Sequence, residues 1–141
     1  MQHARSITLH VCESDRLSFL PHLFGDDFLP AEMQVYSLAA RYLPLYTGGF
    51  WHFIRLPEGG GYMSPDCDQV HLNNGDNGFD NTLSGDAAGI VLTAMVINRR
   101  CGLQHFHGNA GQAGLLMKRA DQLWRYIEMH PERADICRAL D

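Results

Sequence analysis

Apolar residues along this chain recur at two periods, and the switches between them mark out the elements. From Arg5 to Cys12, Ile7, Leu9 and Val11 alternate with Thr8, His10 and Cys12, the pattern of a half-buried strand. Ser14 can cap a short helix through Leu20, which the Pro21 and Gly25 segment ends. Pro30 suits a first helical position. Met33, Tyr36, Ala40 and Leu43 then recur at helical spacing, and the helix should stop before Pro44. Phe50 to Leu56 has no helical period and is apolar on both alternating faces, as expected of a strand covered on both sides. Pro57 and Gly59 to Gly61 then turn the chain, and Tyr62 to Pro65 brings it back as a hairpin.

Val70 to Leu72 suggests a further short strand, and residues 73–82 read as a polar loop rich in turn formers. Ala87 to Ile97 is apolar nearly all round and should be the most buried helix. Ser84 or Asp86 caps it, and Arg99, Arg100 and Gly102 mark its end. A loop over 105–111 precedes an amphipathic helix with Ala113, Leu116, Ala120, Leu123 and Ile127 on one stripe and Trp124 beside it. His130 and Pro131 begin a last short helix. The expected fold is a single α+β domain over 1–141. A small antiparallel sheet of 5–12, 50–56 and 61–65, with the hairpin at its centre, packs against helices near 30–43, 86–100 and 112–129.

Composition narrows the class. At 141 residues and 45% hydrophobic the chain can build a core without staples. No apolar run reaches the length of a membrane span, and no signal-peptide core follows Met1, so the expected location is the cytoplasm, without membrane contact. Cys12, Cys67, Cys101 and Cys137 stand far apart and form no C-x-x-C pair. The net charge of −5 is uneven. Residues 56–98 hold Glu58, Asp66, Asp68, Asp76, Asp80 and Asp86 with no Lys or Arg, whereas residues 99–141 hold seven bases and five acids. No basic stripe suggests duplex binding.

Candidate chemistry is sparse. His105 and His107 near Cys101 give three possible metal ligands without a fourth. The Asn74-to-Asp80 run lacks the Gly and Glu of a calcium loop. Cys67 and His71 form a conceivable nucleophile and base, provided the fold brings them together. No phosphate loop, nucleophile elbow or dinucleotide fingerprint is present. Catalytic, cofactor and metal residues are therefore expected to be absent, and Trp51, Phe53 and Tyr62 are read as hairpin core.

Several blocks together resemble one family. They are Phe19-Leu20-Pro21-x-x-Phe24-Gly25, Val35-Tyr36, Tyr46-x-Gly48-Gly49-x-Trp51-x-Phe53, Leu56 with Gly60-Gly61-Tyr62-Met63-x-Pro65, and Ser84-x-Asp86-Ala87-Ala88-Gly89-Ile90. In this order and spacing the chain resembles the antirestriction proteins of the ArdB/KlcA type, carried by plasmids and other mobile elements. The resemblance implies a small mixed α/β protein that protects incoming DNA from host type I restriction enzymes. It assigns no catalytic residue.

Charge arithmetic bears on the mechanism. A compact domain of this length spans roughly 35 Å, over which B-DNA carries about 20 charges. This chain has sixteen carboxylates offset by eleven Lys and Arg. Mimicry of DNA is thus disfavoured against a protein contact, either with the restriction enzyme or with a host factor controlling it. The expected working surface is Asp66, Asp68, Asp76 and Asp80, or else Arg99 and Arg100 with the basic C-terminal third. Asp86 is expected to be a structural cap, and the protein a monomer. A small hydrolase using Cys67 and His71, or acidic-loop carboxylates, is the alternative.

Overall fold

The computed structural model describes residues 9–141. The described chain runs β1 (Leu9–His10), α1 (Arg16–Phe24), α2 (Phe28–Tyr42), β2 (Trp51–Arg55), β3 (Gly61–Pro65), β4 (Gln69–Asn74), β5 (Phe79–Ser84), α3 (Gly85–Phe106), α4 (Ala110–Glu128) and α5 (Arg133–Leu140). It is an α+β fold, as expected. The strand expected over 5–12 is described only at Leu9–His10, which pairs antiparallel with Arg55 and Ile54; positions 5–8 lie outside the described residues. The hairpin is the centre of this three-stranded sheet, with Trp51 opposite Pro65 and Arg55 opposite Gly61. Among the described residues, no helix is long and apolar enough to cross a membrane.

Three boundaries and one helix face differ from expectation. The first helix continues through Pro21, because Phe19, Leu20, Leu23 and Phe24 are buried along it and the ring removes only one ladder bond. Gly25, at φ 64°, ends it. In α2 the buried stripe is Ala31, Val35, Leu38, Ala39 and Tyr42; of the expected set, Leu43 is buried just past the helix and Tyr36 packs against the core, whereas Met33 and Ala40 face solvent. Phe50 lies before β2 and is 52% exposed. The helix expected to stop at Arg100 runs on to Phe106. Buried Asp27 accepts bonds from Arg100 and Gln104, which holds the extra turns against the body, and the chain turns at Gly108 (φ 77°) instead.

The largest correction concerns 73–82. These residues are not a loop but part of a second sheet, a hairpin of β4 and β5 with Asn74 opposite Phe79. At its tip, Asn74 Oδ1 accepts from Asp76 N–H and Asn77 Oδ1 from Phe79 N–H. Leu72, Phe79 and Leu83 are buried on one side of the hairpin.

The core is organised by α3, which packs against β3 and α4. It comes unusually close to the strand through two glycines one turn apart. A Cβ on Gly89 would meet the Met63 carbonyl oxygen at 2.2 Å, and one on Gly85 would meet the Cys67 carbonyl oxygen at 2.2 Å. All five residues of β3 are buried as a result. Thr93 in α3 adds a hydrogen bond from the Met63 N–H to its hydroxyl, 3.1 Å.

Candidate functional site

Two clusters carry the ionisable groups that chemistry would need. The first lies at the start of α3. The Ser84 hydroxyl accepts from Ala87 N–H at 2.9 Å and so caps the helix. Ser84 in turn donates both its N–H, at 3.0 Å, and its hydroxyl to Glu132. Asp86 is not the cap. Its carboxylate accepts from the Tyr62 hydroxyl at 2.6 Å and meets His130 Nε2 at 2.8 Å. The Glu132 N–H donates to His130 Nδ1 at 3.0 Å, so Nδ1 is the bare nitrogen and Nε2 carries the proton given to Asp86. Burial first, then the Asp86 charge, push the Tyr62 phenol far above its ordinary value. Tyr126 stacks on Tyr62, and His130 meets Tyr126 edge-on.

This constellation has the residue types of an acid–base site without the accessibility of one. The His130 side chain is 0% exposed, and both of its ring nitrogens are engaged. It fastens β3, α3 and the α4–α5 connection together. Sequence reading had no signal for His130 or Glu132, which stand more than forty positions from their partners. Gly89 belongs to the Ser84-x-Asp86-Ala87-Ala88-Gly89-Ile90 block, and Gly85 occupies the unspecified position within it.

The second cluster surrounds an open groove of about 610 Å³ between the α2–β2 loop, the end of β3 and the β4–β5 hairpin. Its lining includes Leu45, Phe50, Pro65, Asp66, Cys67 and His71. Gly48 and Gly49, at φ 101° and 119°, form one wall, and neither has a neighbour against its Cβ position. Asp66 meets His52 at 2.9 Å, and Asp80 pairs with His71 across the hairpin. Asp68 is exposed between β3 and β4. Asp76 is elsewhere, at the hairpin tip, 3.6 Å from Arg41. The expected acidic surface therefore divides: Asp66 lines the groove, Asp80 reaches it through its partner His71, and Asp76 does neither.

The basic candidates divide too. Arg99 is exposed, whereas Arg100 is held in the buried pair with Asp27 at 3.0 Å. Cys67 and His71 both line the groove, but His71 Nε2 is given to Asp80. The Cys67 thiol is pushed up by burial and by the Asp66 and Asp68 charges, which disfavours the thiolate a nucleophile requires. Among the described residues no group of three or more His, Cys, Asp or Glu could hold a metal ion.

A family model described as "Antirestriction protein" matches residues 44–141, which takes in both clusters. The chain belongs to the antirestriction family. A relative from Escherichia coli (strain K12) named "Putative antirestriction protein YubI" is 60% identical over 141 residues, the full length of both chains. The "Antirestriction protein KlcA" of Escherichia coli is 40% identical, over 96% of this chain and 93% of its own. A solved structure superposes with a TM-score of 0.83 at 35% identity, over 95% of this chain and 94% of the other. That work describes "the KlcA and ArdB proteins" as having a novel fold and "antirestriction activity against Type I DNA restriction systems in vivo but not in vitro".

Within this antirestriction-family chain most of the motif residues act on the fold. Trp51 is buried and donates its indole N–H to the Tyr46 hydroxyl at 3.0 Å. Gly60 N–H donates to His22 Nε2 at 3.1 Å, and burial with Arg119 and Arg55 nearby lowers the His22 pKa, consistent with a bare nitrogen there. A Cβ on Gly61 would lie 2.1 Å from the Ile54 carbonyl oxygen. Gly48 and Gly49 alone among the motif glycines face open space.

Proposed function

We propose that this chain protects incoming plasmid or phage DNA from host type I restriction enzymes by a protein contact, without imitating DNA and without turning over a substrate. The observation that carries this reading is the disposition of the acidic stretch. Of its six carboxylates, Asp86 is committed to Tyr62 and His130. Asp66 sits on His52, Asp76 by Arg41 and Asp80 on His71. What is left is too little to stand for the continuous phosphate charge of a duplex. Activity of the KlcA and ArdB proteins in vivo but not in vitro supports the involvement of a cellular component that purified enzyme and DNA do not supply. The partner is then the restriction complex in its cellular setting, or a host factor controlling it. The protein works as a cytoplasmic monomer with no cofactor.

Phage plating on otherwise identical strains with and without a type I system tests this. Expression should raise plating efficiency only where the system is present. Equal plating with and without the protein on the restricting strain would overturn the reading. Tight duplex binding by the purified protein would restore DNA-directed action.

A further inference from the structure

We propose that the groove beside β4 is the docking site for a partner segment that presents an apolar side chain flanked by Lys or Arg. This deepens the function proposed above and rests on it for its biological setting. Leu45, 82% exposed, and Phe50, 52% exposed, stand at the groove as large apolar groups among polar neighbours, a combination that marks interaction surface. Phe50 is held ready: the Arg16 guanidinium lies 4.7 Å from its ring centroid, and His52 meets it edge-on. That arrangement lowers the ordering cost of binding.

Charge selects the occupant. Among the described residues, no Lys or Arg lines the groove. Arg16 is turned to the Trp51 carbonyl oxygen at 3.0 Å and to the Phe53 ring. Asp66 lines the groove and Asp80 stands behind its lining residue His71; they remain 64% and 59% exposed, and among the described residues each has a histidine as its ion-pair partner. Carboxylates beside apolar surface suit a guanidinium or ammonium and repel phosphate. The glycine wall of Gly48 and Gly49 leaves room for a main chain to approach.

The test is a titration of the isotope-labelled full chain with a synthetic peptide alternating Arg and Leu, followed by amide NMR. Saturating shifts are expected at Gly48, Gly49 and Asp66 to His71. Peptides alternating Arg with Ser, or Glu with Leu, should bind at least about ten-fold more weakly, one decade in Kd. The double variant Leu45→Ser, Phe50→Ser alters only exposed positions. It should lose peptide binding to the same degree with an unchanged melting temperature. Absent or scattered shifts, or full binding by the variant, would overturn the proposal. So would groove shifts caused by a short DNA duplex, or a concentration-dependent dimer that the variant abolishes. In cells, a variant relieving restriction like the unmodified protein would sink the groove while leaving the antirestriction reading intact. An unmodified protein that gives no relief would sink that reading, with the peptide titration still deciding the groove.

Discussion

Asp66 and Asp86 are the same side chain in opposite surroundings. Asp86 is 13% exposed and closes a network of Tyr62 and His130 under the first turn of α3. Asp66 is 64% exposed at the rim of an open groove, where its carboxylate meets His52 Nε2. One of these regions is closed, satisfied and built on backbone contact at Gly85 and Gly89; the other is open and has apolar groups standing in water. The difference shows that charge in this chain does two jobs. Buried carboxylates here specify how elements join, because removing a partner leaves an unsatisfied polar group. Exposed ones such as Asp66 contribute little to the fold, and under the groove proposal they serve recognition.

Five variants would break or sharpen that contrast. Trp51→Ala reaches the groove from the core, since the indole is buried and its N–H holds the groove residue Tyr46. It should cost about 3–5 kcal/mol, read as a fall in the denaturation midpoint. A midpoint near that of the unmodified protein would remove Trp51 from the core. Gly89→Val forces a side chain against the Met63 carbonyl and Ser64 backbone. A loss of about 3 kcal/mol is expected, whereas Gly48→Ala, in open space, should cost little beyond its backbone strain.

Asp86→Asn keeps the shape of the side chain and removes one acceptor oxygen. The amide cannot accept from both Tyr62 and His130, so about 1–3 kcal/mol should be lost, with restriction relief falling only as far as folded protein does. Full stability with no relief would transfer Asp86 to the contact surface. The smallest structural effect is expected from Asp66→Asn with Asp80→Asn. Stability should stay within about 0.5 kcal/mol, while plating efficiency on a restricting strain drops. Unchanged plating would make the groove rim solubilising surface and direct attention to Arg99.

The sequence by itself determined the central hairpin, the burial of α3 and the stripe of α4. Each rests on local periodicity that burial reinforces. The Ser84 cap was local too, but the sequence offered Asp86 beside it and could not choose between them, because Asp86 is claimed by Tyr62 and His130 from other segments. It misjudged 73–82 because the alternation of Phe79 and Leu83 is diluted by turn residues, and strand pairing depends on a partner that only the folded chain supplies. It misjudged the end of α3 for a related reason. A glycine at 102 is a sound stop signal until Asp27, far away in sequence, binds Arg100 and Gln104 and stabilises the turns beyond it. The meeting of Asp86 with His130, and the assembly of Leu45, Phe50, Asp66 and His71 around one groove, were decided by tertiary structure alone. Such sites are made of side chains from separate segments, and no periodicity within a segment records who its neighbours will be.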